Sequence, residues 1–196
     1  MLYTVFRPQQ KFPYVKESKV ETEFDRKSPP KIKGVLEIST RSESTLGKSL
    51  SPFNLEITLK SGKTVKVEST YHGSKVFENG EQYPEMCFES PRVVVNSPKM
   101  KGRKPHGFKL FGKEYPTQPK HAFFDFLYIC ALIQRPDNIY KKLSYWNGYS
   151  DMFYSPRKDP NCQARAAAKY VSLMRQGLID KNTSSQEILK ILTNQA

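Results

Sequence analysis

His121-Ala122-Phe123-Phe124-Asp125-Phe126-Leu127-Tyr128-Ile129-Cys130-Ala131-Leu132-Ile133 is the longest apolar run of the chain. Pro119 precedes it, where a first helical turn tolerates proline, and Pro136 ends it on the far side. Phe123, Phe126, Leu127, Cys130 and Ile133 recur at intervals of three and four, while Ile129 and Ala131 widen the stripe. That pattern predicts a helix buried on most sides, at the centre of a core. The run is too short for a bilayer, which takes about 20 apolar residues, and it contains Asp125. No membrane association is expected.

Upstream, residues 53–67 read as a β-hairpin. Leu55, Ile57 and Leu59 alternate with polar neighbours, Ser61-Gly62 supplies the turn, and Val65 and Val67 alternate on the return. The period then changes. Tyr71, Ser74 or Lys75, and Glu78 lie at helical spacing, with Asn79-Gly80 as a stop. Residues 35–38 are a short apolar run of strand type, and residues 39–51 are polar and loop-like. Residues 1–34 mix charge, proline and aromatics without a period, which predicts an irregular arm, with an extended edge segment as the alternative. Lys27-Ser28-Pro29-Pro30-Lys31 is a loop signal inside it.

Downstream, a second helix is expected over residues 161–175, with Ala166, Ala167, Ala168, Tyr170, Val171 and Met174 inward and Gly177 beyond its end. Ser184 with Glu187 three later is a capping-box pattern ahead of a last short helix over residues 188–192. There are no internal repeats. The expected fold class is α+β: one helix-dominated domain over residues 35–196, with a small antiparallel β element ahead of the helices.

The chain has 196 residues, enough for a sizeable core in one domain. Its 37% apolar and 12% aromatic content argues against general disorder. The 32 Lys and Arg outnumber the 19 Asp and Glu, for a formal +13. A charge of that size favours an anionic partner such as nucleic acid, a nucleotide or an acidic protein. Residues 1–8 have no apolar signal region, so the expected compartment is the cytoplasm. Cys87, Cys130 and Cys162 lack metal-ligand spacing and read as reduced thiols, two of them buried. No metal and no cofactor are expected.

Five features carry possible chemistry. Gly47-Lys48-Ser49 looks like the tail of a P-loop, but the glycine required five residues earlier is Ser42, so the motif is rejected. Residues 98–113 carry Lys99, Lys101, Arg103, Lys104, Lys109 and Lys113 with no acid, and His106 and Phe108 are interleaved. This basic loop suits phosphates and stacked bases; the alternative is a solvated surface. Glu68 and Lys75 are seven apart, which on one helix face separates them by roughly 10 Å and lets both reach a substrate beside Tyr71 or His72. The alternative is exposed helix charge. Asp151 lies in an aromatic run, Tyr145-Trp146-Asn147-Gly148-Tyr149-Ser150-Asp151-Met152-Phe153-Tyr154, which suits a site that stacks a ring and moves a proton, or a loop packed by its own aromatics. Asn161-Cys162-Gln163-Ala164-Arg165 opens a helix; Asn161 can cap it, or backbone N–H groups and Arg165 can face a diphosphate.

Taken together, certain segments resemble a known family. They are Leu36-Glu37-Ile38-Ser39, Leu50-Ser51-Pro52-Phe53-Asn54-Leu55 and Val67-Glu68-Ser69-Thr70-Tyr71-His72-Gly73-Ser74-Lys75-Val76-Phe77. Further along come Phe124-Asp125-Phe126-Leu127-Tyr128-Ile129-Cys130-Ala131-Leu132, Tyr149-Ser150-Asp151 and Asn161-Cys162-Gln163-Ala164-Arg165. In this order they resemble the NADAR superfamily, the YbiA-like N-glycosidases, and within it the branch encoded as antitoxins beside DarT-type DNA ADP-ribosylating toxins. The family's pattern usually has Gln where His72 stands, and often Trp where Phe126 stands.

The resemblance implies cleavage of the bond between ADP-ribose and a nucleobase nitrogen, guanine in the antitoxin branch, on DNA or RNA. Carried over by position, Lys75 is the nucleophile, Glu68 an acid/base partner and Asp151 a second carboxylate near the ribose. Asn54, Tyr71, His72, Ser74, Trp146, Asn161 and Arg165 are the expected substrate contacts. Lys99, Lys101, Arg103 and Lys104 are the candidate nucleic-acid contacts. A neutral lysine amine can take the ring-opened anomeric carbon as a Schiff base, which water then hydrolyses. An ordinary lysine titrates at about 10.4, so Lys75 is expected to be partly desolvated. A cognate DarT-type toxin is a possible partner. Competing readings are a binding module for ADP-ribose or nucleic acid, a contact-only antitoxin, and an N-glycosidase of small phosphoribosyl-amine metabolites.

Overall fold

The computed structural model describes residues 2–8, 16–21, 34–155 and 161–193. In chain order the elements are β1 (Leu2–Arg7), β2 (Lys16–Glu21), β3 (Val35–Glu37), α1 (Thr45–Ser49), β4 (Glu56–Thr58), β5 (Thr64–Lys66), α2 (Val67–Gly73) and β6 (Lys75–Val76). A 3-10 turn at Pro84–Phe88 leads to α3 (Pro91–Asn96), β7 (Gly107–Leu110) and β8 (Lys113–Tyr115). Then come α4 (Ala122–Gln134), α5 (Ile139–Ser144), β9 (Gly148–Ser150), α6 (Gln163–Arg175) and α7 (Ser185–Thr193). The chain is α+β, as its pattern predicts.

The helix anticipated between the two prolines is α4. Each of its residues from Ala122 to Leu132 is buried, because α2, α6, α7 and β4 pack around it. Two polar groups ride inside. Tyr128 donates its hydroxyl to the Leu50 carbonyl at 2.8 Å, which satisfies its polar tip. Asp125 is ion-paired with Lys169, with His121 at 3.0 Å and with Arg165 at 3.5 Å. Burial pushes its carboxyl up, but Lys169, Arg165 and His121 outweigh that and hold it well below the usual carboxylate range.

Among the described residues, three small sheets accompany the helices. The first has the order β2-β1-β9-β3; β1 is antiparallel to β2 and β9, and β3 pairs with β9 in parallel, Glu37 opposite Ser150. The second is the expected hairpin, β4 with β5, Ile57 opposite Val65. The third is β6-β7-β8, in which Lys75 lies opposite Phe108.

The structure departs from the sequence reading at four places. Residues 2–7 and 16–21 are strands, which agrees with the extended-segment alternative and not with the irregular arm. Leu2-Tyr3-Thr4-Val5-Phe6 has the β-branched and aromatic make-up of a strand, and Val5 and Phe6 are buried against the rest of the domain. The loop signal at residues 27–31 lies outside the described residues. Residues 45–49 form α1 within a stretch read as loop, capped by the Ser44 hydroxyl. The helix expected through residue 79 ends at Gly73, because the Ser74 N–H and hydroxyl both fold back on the Thr70 carbonyl and Lys75 enters β6. The basic loop is half strand: Phe108 and Leu110 are buried on β7, and a tight turn with Phe111 at φ 48° and Gly112 at φ 82° leads into β8.

α6 matches the expected second helix, with Gly177 at φ 66° beyond its end. α7 opens on the anticipated capping box: the Ser184 N–H donates to Glu187 at 2.9 Å, and the Glu187 N–H donates to the Ser184 hydroxyl at 3.3 Å. All three cysteines are free and buried. Burial raises the Cys87 thiol to about 11 and the Cys130 thiol to about 12. No helix among the described residues is long and apolar enough to cross a membrane.

Candidate active site

α2 starts directly where β5 ends, so its first turn is anchored by the hairpin. The Glu68 N–H donates to the Pro52 carbonyl at 3.0 Å, and the Glu68 carboxylate sits near the favourable, positive end of the helix. One turn later His72 places Nε2 3.2 Å from Glu68 Oε1. The chain then leaves the helix, and β6 carries Lys75 back so that its Nζ lies 3.1 Å from His72 Nδ1. Lys75 is 8% exposed, and its Nζ also lies over the Tyr71 ring at 4.8 Å. Glu68, His72 and Lys75 thus form one connected chain, although Lys75 is not on the helix as its spacing suggested.

The opposite wall comes from the segment after β9. Asp151 is buried; its Oδ1 accepts from the Phe153 N–H at 2.9 Å, and the Cys162 thiol points at its Oδ2 from 3.9 Å. Burial, with the Glu37 and Glu68 carboxyls adding to it, raises Asp151 to about 7. Asn161, at the foot of α6, donates to the Tyr71 hydroxyl at 2.8 Å and so ties the two walls together. Glu68, Tyr71, His72, Asp151, Asn161 and Phe124 all line one cavity of about 380 Å³.

A larger cavity of about 620 Å³ opens on another face of α4, between the β4–β5 and β7–β8 hairpins. Its floor is apolar and it holds none of the candidate residues. The smaller cavity is the better site because polar and titratable groups converge there.

Several expected contacts are not part of this cavity. Asn54 donates to the Lys48 carbonyl at 2.8 Å and closes the end of α1. Ser74 is fully buried and spends its hydroxyl on Thr70. Trp146 packs partly buried on the core beside Tyr145, at the end of α5, because β9 runs from Gly148 to Ser150 between it and Asp151. Arg165 points to the buried carboxylate of Asp125, 3.5 Å away, and does not line the cavity. In the basic stretch, Arg103 pairs with Glu81 at 2.8 Å and covers the Phe77 ring, and Lys99 pairs with Glu85 at 3.4 Å. Those two are committed to a small satellite core; Lys101 and Lys104 are exposed.

Sequence reasoning misses Glu37. It is buried on β3, accepts from the Ser150 hydroxyl and accepts from the Met152 N–H at 2.8 Å, bracketing Asp151 on both sides. Burial raises its carboxyl above the ordinary value. A lone acid between Leu36 and Ile38 in an apolar strand is the available signal. Gln163 is missed too; it donates to the Ile38 carbonyl at 3.1 Å and lines the cavity. Residues 16–196 match the family model described as DarT1-associated NADAR antitoxin. No curated protein matches the chain.

Proposed function

The chain belongs to the family of DarT1-associated NADAR antitoxins, and from that premise we propose that it is an ADP-ribosyl N-glycosidase that frees a nucleobase, guanine in DNA or RNA, from ADP-ribose. The observation that carries the reading is the convergence of an imidazole and two carboxyls on one cavity of about 380 Å³, with the Lys75 amine 3.1 Å from that imidazole. Lys75 is the nucleophile. Its burial among Tyr71 and His72 keeps bulk water from the amine. Attack on the anomeric carbon breaks the bond to the base nitrogen, and ring opening leaves a Schiff base on Lys75.

Glu68 is the acid that protonates the departing nitrogen. Asp151, titrating at about 7, can exchange a proton at neutral pH and suits the hydrolytic step, in which water releases the sugar from Lys75. Tyr71 and Asn161, joined by their hydrogen bond, form the wall against which the sugar sits. The exposed Lys101 and Lys104 are the remaining candidates for contact with a nucleic-acid strand. A DarT-type transferase would supply the modified base that this reaction restores.

The test uses an oligonucleotide carrying ADP-ribose on guanine, incubated with wild-type protein and with Lys75→Ala, and followed by mass with borohydride present in parallel samples. Loss of the ADP-ribose mass with wild type only, and a trapped adduct on Lys75, are expected. An unmodified product from Lys75→Ala, or no release by either protein, sinks the reading.

A further inference from the structure

We infer that His72 is a proton relay between Lys75 and Glu68, which arms the nucleophile and the acid together; this rests on the glycosidase reading above. A lysine nucleophile must lose a proton, and a carboxylate that is to act as acid must gain one. At rest the two groups are expected in the opposite states, ammonium and carboxylate. The imidazole stands in hydrogen-bond reach of both, Nδ1 at 3.1 Å from Lys75 Nζ and Nε2 at 3.2 Å from Glu68 Oε1. The neutral ring with its proton on Nε2 satisfies both contacts at once: Lys75 donates to Nδ1, and Nε2–H donates to Glu68.

Two short transfers then change every state that matters. A proton passes from Lys75 Nζ to Nδ1, and the Nε2 proton passes to Glu68. The result is a neutral amine, a neutral ring in its other tautomer and a neutral carboxylic acid, with no net charge moved into the cavity. The amine nitrogen forms its bond to the anomeric carbon, and the bond from that carbon to the base breaks. The Glu68 proton goes to the base nitrogen. One amine proton goes to the ring oxygen as the sugar opens, leaving a protonated imine on Lys75. Water supplies the aldehyde oxygen, and its two protons return Lys75 to the ammonium. Glu68 is by then a carboxylate again. Each proton is accounted for and the resting state is restored; the ring returns to its first tautomer by exchange with water.

Tyr71, on the same helix, stands in edge contact with the imidazole at 5.5 Å, and Asp151 and Tyr154 line the same cavity. His72 itself is 16% exposed in its side chain, so the relay is screened from bulk solvent yet open to the cavity.

The experiment compares wild type, His72→Gln and His72→Ala on the modified oligonucleotide across the neutral pH range, with and without added imidazole. Gln can accept from Lys75 and donate to Glu68 but cannot pass a proton on. The expected result for His72→Gln is a kcat lower by about 100-fold, with KM within about threefold of wild type and a changed pH profile. Imidazole in solution should restore part of the kcat of His72→Ala and none of His72→Gln. A His72→Gln enzyme within about threefold of wild-type kcat at an unchanged pH profile overturns the relay. So does a cooperatively folded His72→Ala that imidazole leaves unchanged. Wild type that releases no ADP-ribose and yields no trapped adduct fails the glycosidase reading, and the relay with it; an active wild type with unimpaired His72 variants removes the relay alone.

Discussion

Glu37 on β3 accepts a hydrogen bond at 2.8 Å from the backbone N–H of Met152, so one buried carboxyl fixes the turn that holds Asp151. Glu37→Ala leaves that N–H and the Ser150 hydroxyl without their acceptor. The expected cost is about 1–3 kcal/mol of stability, with turnover falling by at least about tenfold because Asp151 loses its register. Denaturant titration and turnover on the same preparation check both; full activity with lost stability removes the positioning role.

Asp151 gives the protein a pH dependence whose sign is set by its raised value of about 7. A carboxyl raised in the folded state contributes stability that is fully present below its unfolded value of about 4 and is lost as pH rises through about 7. Asp151→Asn mimics the protonated form. It should therefore melt above wild type at pH ~8, by up to about 4 kcal/mol equivalent, and the gap should shrink steadily towards pH ~4. Melting curves across that range decide it, and a gap that does not change with pH contradicts the assignment.

Asp125 has the reverse sign. Its carboxyl is held low, so its contribution is present above the ordinary carboxylate value and fades as pH falls below it. Asp125→Ala leaves Lys169, Arg165 and His121 without their shared acid. The expected loss is about 3–5 kcal/mol, read by urea denaturation at neutral pH. A loss under about 1 kcal/mol shows that water reaches the cluster and screens it.

Within the basic stretch the two pairs of cations should separate. Lys101→Ala and Lys104→Ala are expected to weaken oligonucleotide binding and to lower its salt slope by about 1 each if they meet phosphates. Arg103→Ala should instead loosen the satellite core around Phe77, since it covers that ring and pairs with Glu81. Binding isotherms at several salt concentrations, beside melting curves, tell the two effects apart.

Ser184→Ala removes one half of the capping box on α7. The expected cost is about 1 kcal/mol, with faster amide exchange in the first turn of that helix and no change at the active-site cavity. Equal exchange in both proteins contradicts it.

The elements that the sequence announces are those with one dominant period. α4, α6 and the β4–β5 hairpin each keep theirs for several residues, and each is found. The end of α2 is illegible because helical spacing continues past Gly73 while hydrogen bonds from Ser74 and the pairing of Lys75 with Phe108 redirect the chain. The short strand Gly148–Ser150 is illegible for another reason: it exists through β1 and β3, both far from it in sequence. At the site, it is the family resemblance that singles out Glu68, Lys75 and Asp151; spacing alone leaves the first two as helix charge, and neither gives the contacts of His72. The rejected contacts share a cause. Asn54 and Ser74 spend side-chain hydrogen bonds on the fold, and Arg165 is drawn to the buried Asp125 carboxylate.

The bond between Glu37 and Met152 spans 115 positions, and the cavity's last wall comes from Asn161 and Gln163. On a ribosome the amine, imidazole and acid of α2 and β6 emerge first, facing nothing. At about 5–20 residues per second, the far wall arrives on the order of 10 s later. The cavity is thus completed only once residue 163 has been made, and all at once. A truncated product that keeps Lys75 but stops short of residue 163 is expected to be inert.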